Sequence, residues 1–261
     1  MVHIAAAWRS AIIFIVEHLE KGLRIMRLFR HALAAISLGL LAVSAGASPA
    51  NPQNGTDYRT LEQAQPTESG KKIEVTEFFW YSCPHCAAFD PALTAWVKKQ
   101  GDKIVFKQVP VAFRESFIPQ QKLYYALEAM GKTAEMNPKI FQAIHVDRQR
   151  VDTDKTILEF IEKQGIDKQK FLDLYNSFGV QTKVRRASQL QEQYKIDGVP
   201  TIAIDGRYLT SPSIAGASMA NQPESMQQAA SLQVMDHLLT KLAAEKGAEK
   251  PAEAAKPAKK K

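Results

Sequence analysis

Cysteine is nearly absent from this sequence, with two residues in 261. So small a number excludes a disulfide framework and a four-cysteine metal centre. Long apolar runs are missing as well. The most extended, Ala32 to Val43, is interrupted by Ser37 and Gly39 and is too short to cross ~30 Å of hydrocarbon. The body of the chain also lacks an excess of charge. The formal net charge is +7, but residues 1–47 carry Arg9, Lys21, Arg24, Arg27 and Arg30 against Glu17 and Glu20, and residues 246–261 carry six lysines against Glu249 and Glu253. These ends hold the whole excess and leave residues 48–245 formally neutral, whereas a general nucleic-acid binder carries its basic patch on the folded body.

What is there begins with "MRLFRHALAAISLGLLAVSAGASPA" from Met26: basic residues, the apolar run, then Ala45-Gly46-Ala47. That is the three-part pattern of a secretory signal, with cleavage expected after Ala47. Residues 1–25 receive no role, and Met26 is the expected true start. Export changes the meaning of the cysteine pair. One bridge between positions 83 and 86 closes too small a loop to stabilise a fold much, so its value is chemical.

After a polar leader (48–70), "KKIEVTEFFWY" reads as an interior strand with apolar residues on both faces, Ile73, Val75 and Phe79 on one and Phe78 and Trp80 on the other, and Glu77 as the anomaly in the first row. Phe89, Leu93, Trp96 and Val97 predict a helix over 84–100, and "KIVFKQVPVAF" (103–113) a second strand, together a βαβ unit with parallel strands. A helical block follows. Thr153 is expected to cap one helix that Gly165 stops, and Asp167 to open another that continues through Phe178 and ends at Gly179. A longer helix with Val184, Leu190 and Tyr194 leads to "IDGVPTIAIDGRYLT", where Asp205-Gly206 signals a hairpin between short strands. A last helix spans about 224–244. The tail "KGAEKPAEAAKPAKKK" has a disordered composition.

Cys83-Pro84-His85-Cys86 stands where the first strand meets its helix. A thiol at a helix N-terminus faces unpaired N–H groups and the positive end of the helix dipole, both of which favour thiolate. Cys86 lies one turn inside on the same face, and Pro84 occupies the first turn, where helices tolerate proline. Zinc would need two more ligands, and His145 and His237 are scattered, so no metal site is expected. The pattern is a redox dithiol.

"EFFWYSCPHC" and, a hundred positions later, "GVPTIAIDGRY" resemble the DsbA family of exported thiol:disulfide oxidoreductases within the thioredoxin superfamily. The resemblance covers about residues 56–244. It implies an α/β thioredoxin fold with an inserted α-helical domain. The expected division is an N-terminal extension and signal (1–47), a first thioredoxin part (48–114), the helical insertion (115–181), a second thioredoxin part (182–245) and the tail (246–261). It further implies a cis Val199-Pro200 bond opposite the dithiol, with Val199 and Pro200 as the substrate-docking edge, and buried acids beneath the dithiol. Glu77 is accordingly expected as a proton relay for Cys86; the alternative, a purely structural role, is a carboxylate satisfied by a basic neighbour such as Lys107 on the adjoining strand. Pro84 and His85 are expected to tune the thiolate. The implied activity is donation of the Cys83-Cys86 disulfide to reduced exported polypeptides in the periplasm, with reoxidation by a DsbB-like quinone-linked membrane partner. The exchange itself needs no cofactor, and with no dimerisation segment read before the first strand a monomer is expected. If Cys83 titrated at ~4, its thiolate at pH 7 would gain about three units, roughly 4 kcal/mol or ~90 mV toward oxidising. Two other readings stay open at this stage. A disulfide isomerase or reductase would be separated by its redox potential. A non-enzymatic peptide-binding chaperone would keep its activity when both cysteines are replaced by serine.

Overall fold

Strand β2, Ile73–Phe79, is buried along its whole length, as a strand apolar on both faces must be. A computed structural model describes residues 51–248. The expected signal, its cleavage point, the true start at Met26 and the tail from residue 249 lie outside the described residues.

β2 pairs in parallel with β3, Ile104–Pro110, from Ile73 opposite Ile104 to Phe79 opposite Pro110. The crossover between them is helix α1, Pro84–Gln100. On its other side β2 pairs antiparallel with β4, Thr201–Ile204, which turns back into β5, Tyr208–Thr210. Asp205 and Gly206 make this turn with φ of 51° and 64°, the left-handed pair that a tight hairpin needs. A strand the sequence reading missed, β1 at Arg59–Thr60, pairs with β5 and completes the order β1-β5-β4-β2-β3. The leader is therefore partly structural: Tyr58 is buried and packs edge-on against Tyr208, the ring centroids 5.6 Å apart.

The insertion is a cluster of short helices: α2 (Ile118–Ala129), α3 (Thr133–Phe141), α4 (Asp154–Lys163) and α5 (Lys168–Tyr175). Thr153 caps α4, as expected, and Asp167 caps α5. The helix after Asp167 does not continue to Gly179. Ser177 accepts from the Val180 N–H and opens α6, Phe178–Gln193, so Phe178 and Gly179 begin a helix instead of ending one. The boundary expected at 181 thus falls inside α6. A one-turn helix α7, Pro212–Ala215, precedes α8, Glu224–Ala248, which takes in the first residues of the expected tail.

Two apolar layers cover the sheet. Ile73, Val75, Ile202 and Ile204 face α1 and α8, meeting Phe89, Leu93, Val234 and Leu238. Phe78, Ala203 and Leu209 face the other way, into a core shared with the insertion and α6. α1 and α8 are also joined by Asp236, whose carboxylate accepts from Trp96 Nε1 at 2.8 Å and Gln100 Nε2 at 2.9 Å.

Candidate active site

β2 ends at Phe79, three residues turn the chain, and α1 starts at Pro84 with Cys83 as its N-cap (φ −81°, ψ 117°). Proline at that first position gives up an N–H that no carbonyl of the helix would have received. The N–H groups of His85 and Cys86 are left free to face the Cys83 sulfur. Both cysteines are free thiols. Cys83 keeps 6% of its surface accessible and Cys86 none, so reagents from solvent meet Cys83. Its Sγ lies 3.4 Å from the Val199 carbonyl, and the Val199-Pro200 bond is cis. Beside them a cavity of 410 Å³ is bordered by His85, Val199, Pro200, Pro212 and Glu224.

The two thiols are driven apart. The Cys86 thiol donates to Cys83 and, with the N–H groups of Cys86 and His85 and the nearby His85 ring, brings Cys83 down to about 6 against the opposing effect of burial. Burial pushes the Cys86 thiol well above its ordinary range, and the hydrogen bond it gives to Cys83 adds to that. Glu77, 2% exposed, is raised to about 8. Burial is the main cause, the Gln108 hydrogen bond opposes it, and the charges of Asp90 and Cys83 add to it. Asp90, one helical turn after Cys86, is raised to about 6 by burial.

The structure brings Cys83, Cys86, Pro84, His85, Val199, Pro200 and Glu77 together. It does not bring Lys107 to Glu77. Thr76 is the register partner of Lys107, while Glu77 stands opposite Gln108, whose Nε2 donates to Glu77 Oε2 at 2.8 Å. Adjacent residues of a strand face opposite sides of the sheet, so Lys107 turns to the other face and bonds Glu68 and Glu74, each at 2.9 Å. Four contributors escaped sequence reading. Gln108 follows from the strand register, and Asp90 from its spacing of four after Cys86. Asn137 and Glu224 carry no local signal: Asn137 donates from Nδ2 to Gln108 Oε1 at 3.0 Å, and Glu224 Oε1 lies 2.9 Å from His85 Nδ1. Among the described residues no group of three or more His, Cys, Asp or Glu is placed to hold a metal ion.

The insertion braces the turn that presents the dithiol. Trp80 stacks on Phe117 at 3.9 Å, Tyr81 donates to Asn137 Oδ1 at 2.6 Å, and its carbonyl meets His145 Nε2 at 2.8 Å. Gln120 Nε2 donates to Ser82 Oγ at 2.8 Å. Trp80 and Ser82 are thus tied to the start of α2, and Tyr81 to α3 and the segment that follows it.

Comparison with known proteins gives the family. The profile of the DSBA-like thioredoxin domain matches residues 108–229, which begin after the dithiol. The thiol:disulfide interchange protein DsbA of Burkholderia cepacia is 49% identical over 179 residues, covering 68% of this chain and 84% of that protein. The protein of the same description from Bordetella pertussis is 41% identical over 211 residues, covering 81% of this chain and 95% of its own. Among solved structures, Pseudomonas aeruginosa DsbA superposes with a TM-score of 0.69 at 30% identity, covering 76% of this chain and 97% of that one. Identity at this level along most of both chains, on a thioredoxin sheet with a helical insertion, means that this chain belongs to the DsbA family of thiol:disulfide interchange oxidoreductases.

Proposed function

We propose that the Cys83-Cys86 disulfide is the oxidant donated to reduced exported polypeptides in the periplasm. Cys83 is the sulfur attacked and Cys86 the one released. A substrate thiolate bonds to Cys83 Sγ as the Cys83-Cys86 bond breaks and its electron pair goes to Cys86. Burial makes a Cys86 thiolate costly, so this step needs a proton. Glu77, held as a neutral acid up to about pH 8, supplies it. A second substrate thiolate then attacks the substrate sulfur of the mixed disulfide, and Cys83 departs as thiolate with the two electrons. With Cys83 at about 6, only the last unit of its shift acts at pH 7. That unit favours the reduced protein by about 1.4 kcal/mol or ~30 mV, a third of what a value near ~4 would give, and in the same oxidising direction.

The 410 Å³ cavity beside Val199 supports docking of an extended substrate segment along that edge. A DsbB-like quinone-linked membrane oxidoreductase returns the disulfide after each turnover, and the chain acts as a monomer. The observation that carries the reading is the divergence of the two thiols, one low and reachable, the other high and enclosed. The test is a trapping experiment. Cys86→Ser is expected to accumulate mixed disulfides with exported proteins through Cys83, seen as adducts lost on reduction. Trapping by Cys83→Ser in its place would reverse the roles.

A further inference from the structure

Four side chains form a hydrogen-bonded line from the turn before the dithiol, through the insertion, to the buried acid. Tyr81 OH donates to Asn137 Oδ1 at 2.6 Å, Asn137 Nδ2 to Gln108 Oε1 at 3.0 Å, and Gln108 Nε2 to Glu77 Oε2 at 2.8 Å. Tyr81 is 1% exposed, Asn137 5% and Glu77 2%, with Gln108 half-buried between them. Every donor in this line points the same way, and the reason lies at its far end. A neutral phenol in an apolar site must give its proton to an acceptor, and Tyr81 finds Asn137 Oδ1. That fixes the Asn137 amide, whose Nδ2 then needs an acceptor and takes Gln108 Oε1. Gln108 is left with its NH₂ group toward Glu77.

We propose that Gln108, and behind it Asn137 and Tyr81, are positioning residues for thiol exchange. Their chain occupies Glu77 Oε2, keeps the exchangeable proton of that carboxyl on Oε1, and so makes proton exchange with Cys86 depend on the packing of the helical insertion. The proposal rests on the reading of Glu77 as relay. Without the chain the Gln108 amide is free to turn its carbonyl toward Glu77. A carbonyl oxygen beside a carboxylate repels it, so the carboxyl holds its proton to higher pH. The groups that face Glu77 are Cys83, Cys86 and Asp90 from α1, Tyr81 from the turn, Tyr124 from α2, Gln108 from β3 and the apolar Ile202 from β4. None of these is removed by replacing Asn137.

The test uses the reduced protein and a bis(nitrobenzoate) disulfide, which releases a coloured thiolate at each of two steps. In the first, Cys83 attacks the reagent and one nitrothiolate leaves. In the second, Cys86 gives its proton to the Glu77 carboxylate and attacks Cys83 Sγ, and the other nitrothiolate leaves. The second phase is intramolecular, so its pH profile contains no titration of a dissolved thiol. In the wild type it is expected to rise through a limb set by Glu77, and Glu77→Gln to abolish that limb. Asn137→Ala is expected to move the limb up by about one pH unit, the size of one hydrogen bond to a charged group, slowing the second phase about tenfold at pH 7. The first phase stays unchanged. Tyr81→Phe removes one oxygen, keeps the ring between Phe79 and Phe141, and is expected to move the limb in the same direction. A limb unmoved in both variants overturns the proposal and leaves the relay standing. A limb that survives Glu77→Gln overturns the relay itself.

Discussion

His85 acts on Cys83 by two routes that mutation can separate. Its backbone N–H points at the sulfur, and its ring carries a donor or charge nearby. The ring is also engaged, its Nδ1 2.9 Å from Glu224 Oε1, in a pair that is largely solvent-exposed. An exposed ion pair is worth little, so the backbone donor has the larger part. His85→Ala is therefore expected to raise the Cys83 pKa slightly, whereas His85→Pro removes the N–H as well and is expected to raise it by about one unit, from about 6 toward 7, and lower the reduction potential at pH 7 by ~20 mV. The pH dependence of thiolate absorbance gives the first quantity and equilibration with glutathione the second. Equal effects of the two variants would assign the stabilisation to the ring. At this scale the dithiol was legible because helix position and residue type decide its chemistry. The partner of Glu77 was not. Lys107 and Gln108 are neighbours in sequence, and only the strand register decides which one meets Glu77.

Elements whose ends carry strong local signals were read correctly: Pro84 opening α1, Thr153 capping α4, Asp205-Gly206 turning β4 into β5. Where two signals competed, the reading failed. Gly179 resembles a stop, but Ser177 two residues earlier is a better N-cap, and the cap decides where α6 starts. β1 is two residues long and exposed, with no alternation to detect, so its existence depends on β5 beside it. The hairpin turn itself offers a measurable case. A Cβ on Gly206 would sit 2.0 Å from the Gln65 carbonyl oxygen, whereas one on Gly70, also at positive φ, meets nothing within 4 Å. Gly70→Ala is expected to cost about 1 kcal/mol of backbone strain. Gly206→Ala must also displace the segment whose Gln65 N–H donates to the Gly206 carbonyl at 2.8 Å, and is expected to cost about 1 kcal/mol more. Urea unfolding midpoints of the two variants compare them directly, and equal losses would mean that the leader is not anchored on the turn.

The whole molecule stores the site's chemistry as a dependence of stability on pH. Glu77 is ionised in the unfolded chain above its ordinary value of 4.5, yet keeps its proton when folded until about 8. Across that window the folded state binds more protons, so stability falls as pH rises, by up to about 1.4 kcal/mol per unit, and levels off above. Asp90 adds a smaller loss in the same direction from its ordinary 3.8 up to about 6. Cys83 works the other way. Its folded value of about 6 lies below its ordinary 9.0, so the reduced protein gains stability between these limits and loses it as pH falls through about 6. From about 6 to 8 the slopes of Glu77 and Cys83 oppose each other in the reduced protein. In the disulfide form Cys83 has no proton to lose, and the loss from Glu77 stands alone. Denaturant unfolding of the disulfide form is therefore expected to show stability declining steadily from pH 5 to 8. The reduced form should flatten above pH 6, and Glu77→Gln should remove most of the decline from the disulfide form and turn the flat stretch of the reduced form into a rise. A decline that persists unchanged in Glu77→Gln would mean that the buried carboxyl is not the neutral acid that proton delivery to Cys86 requires.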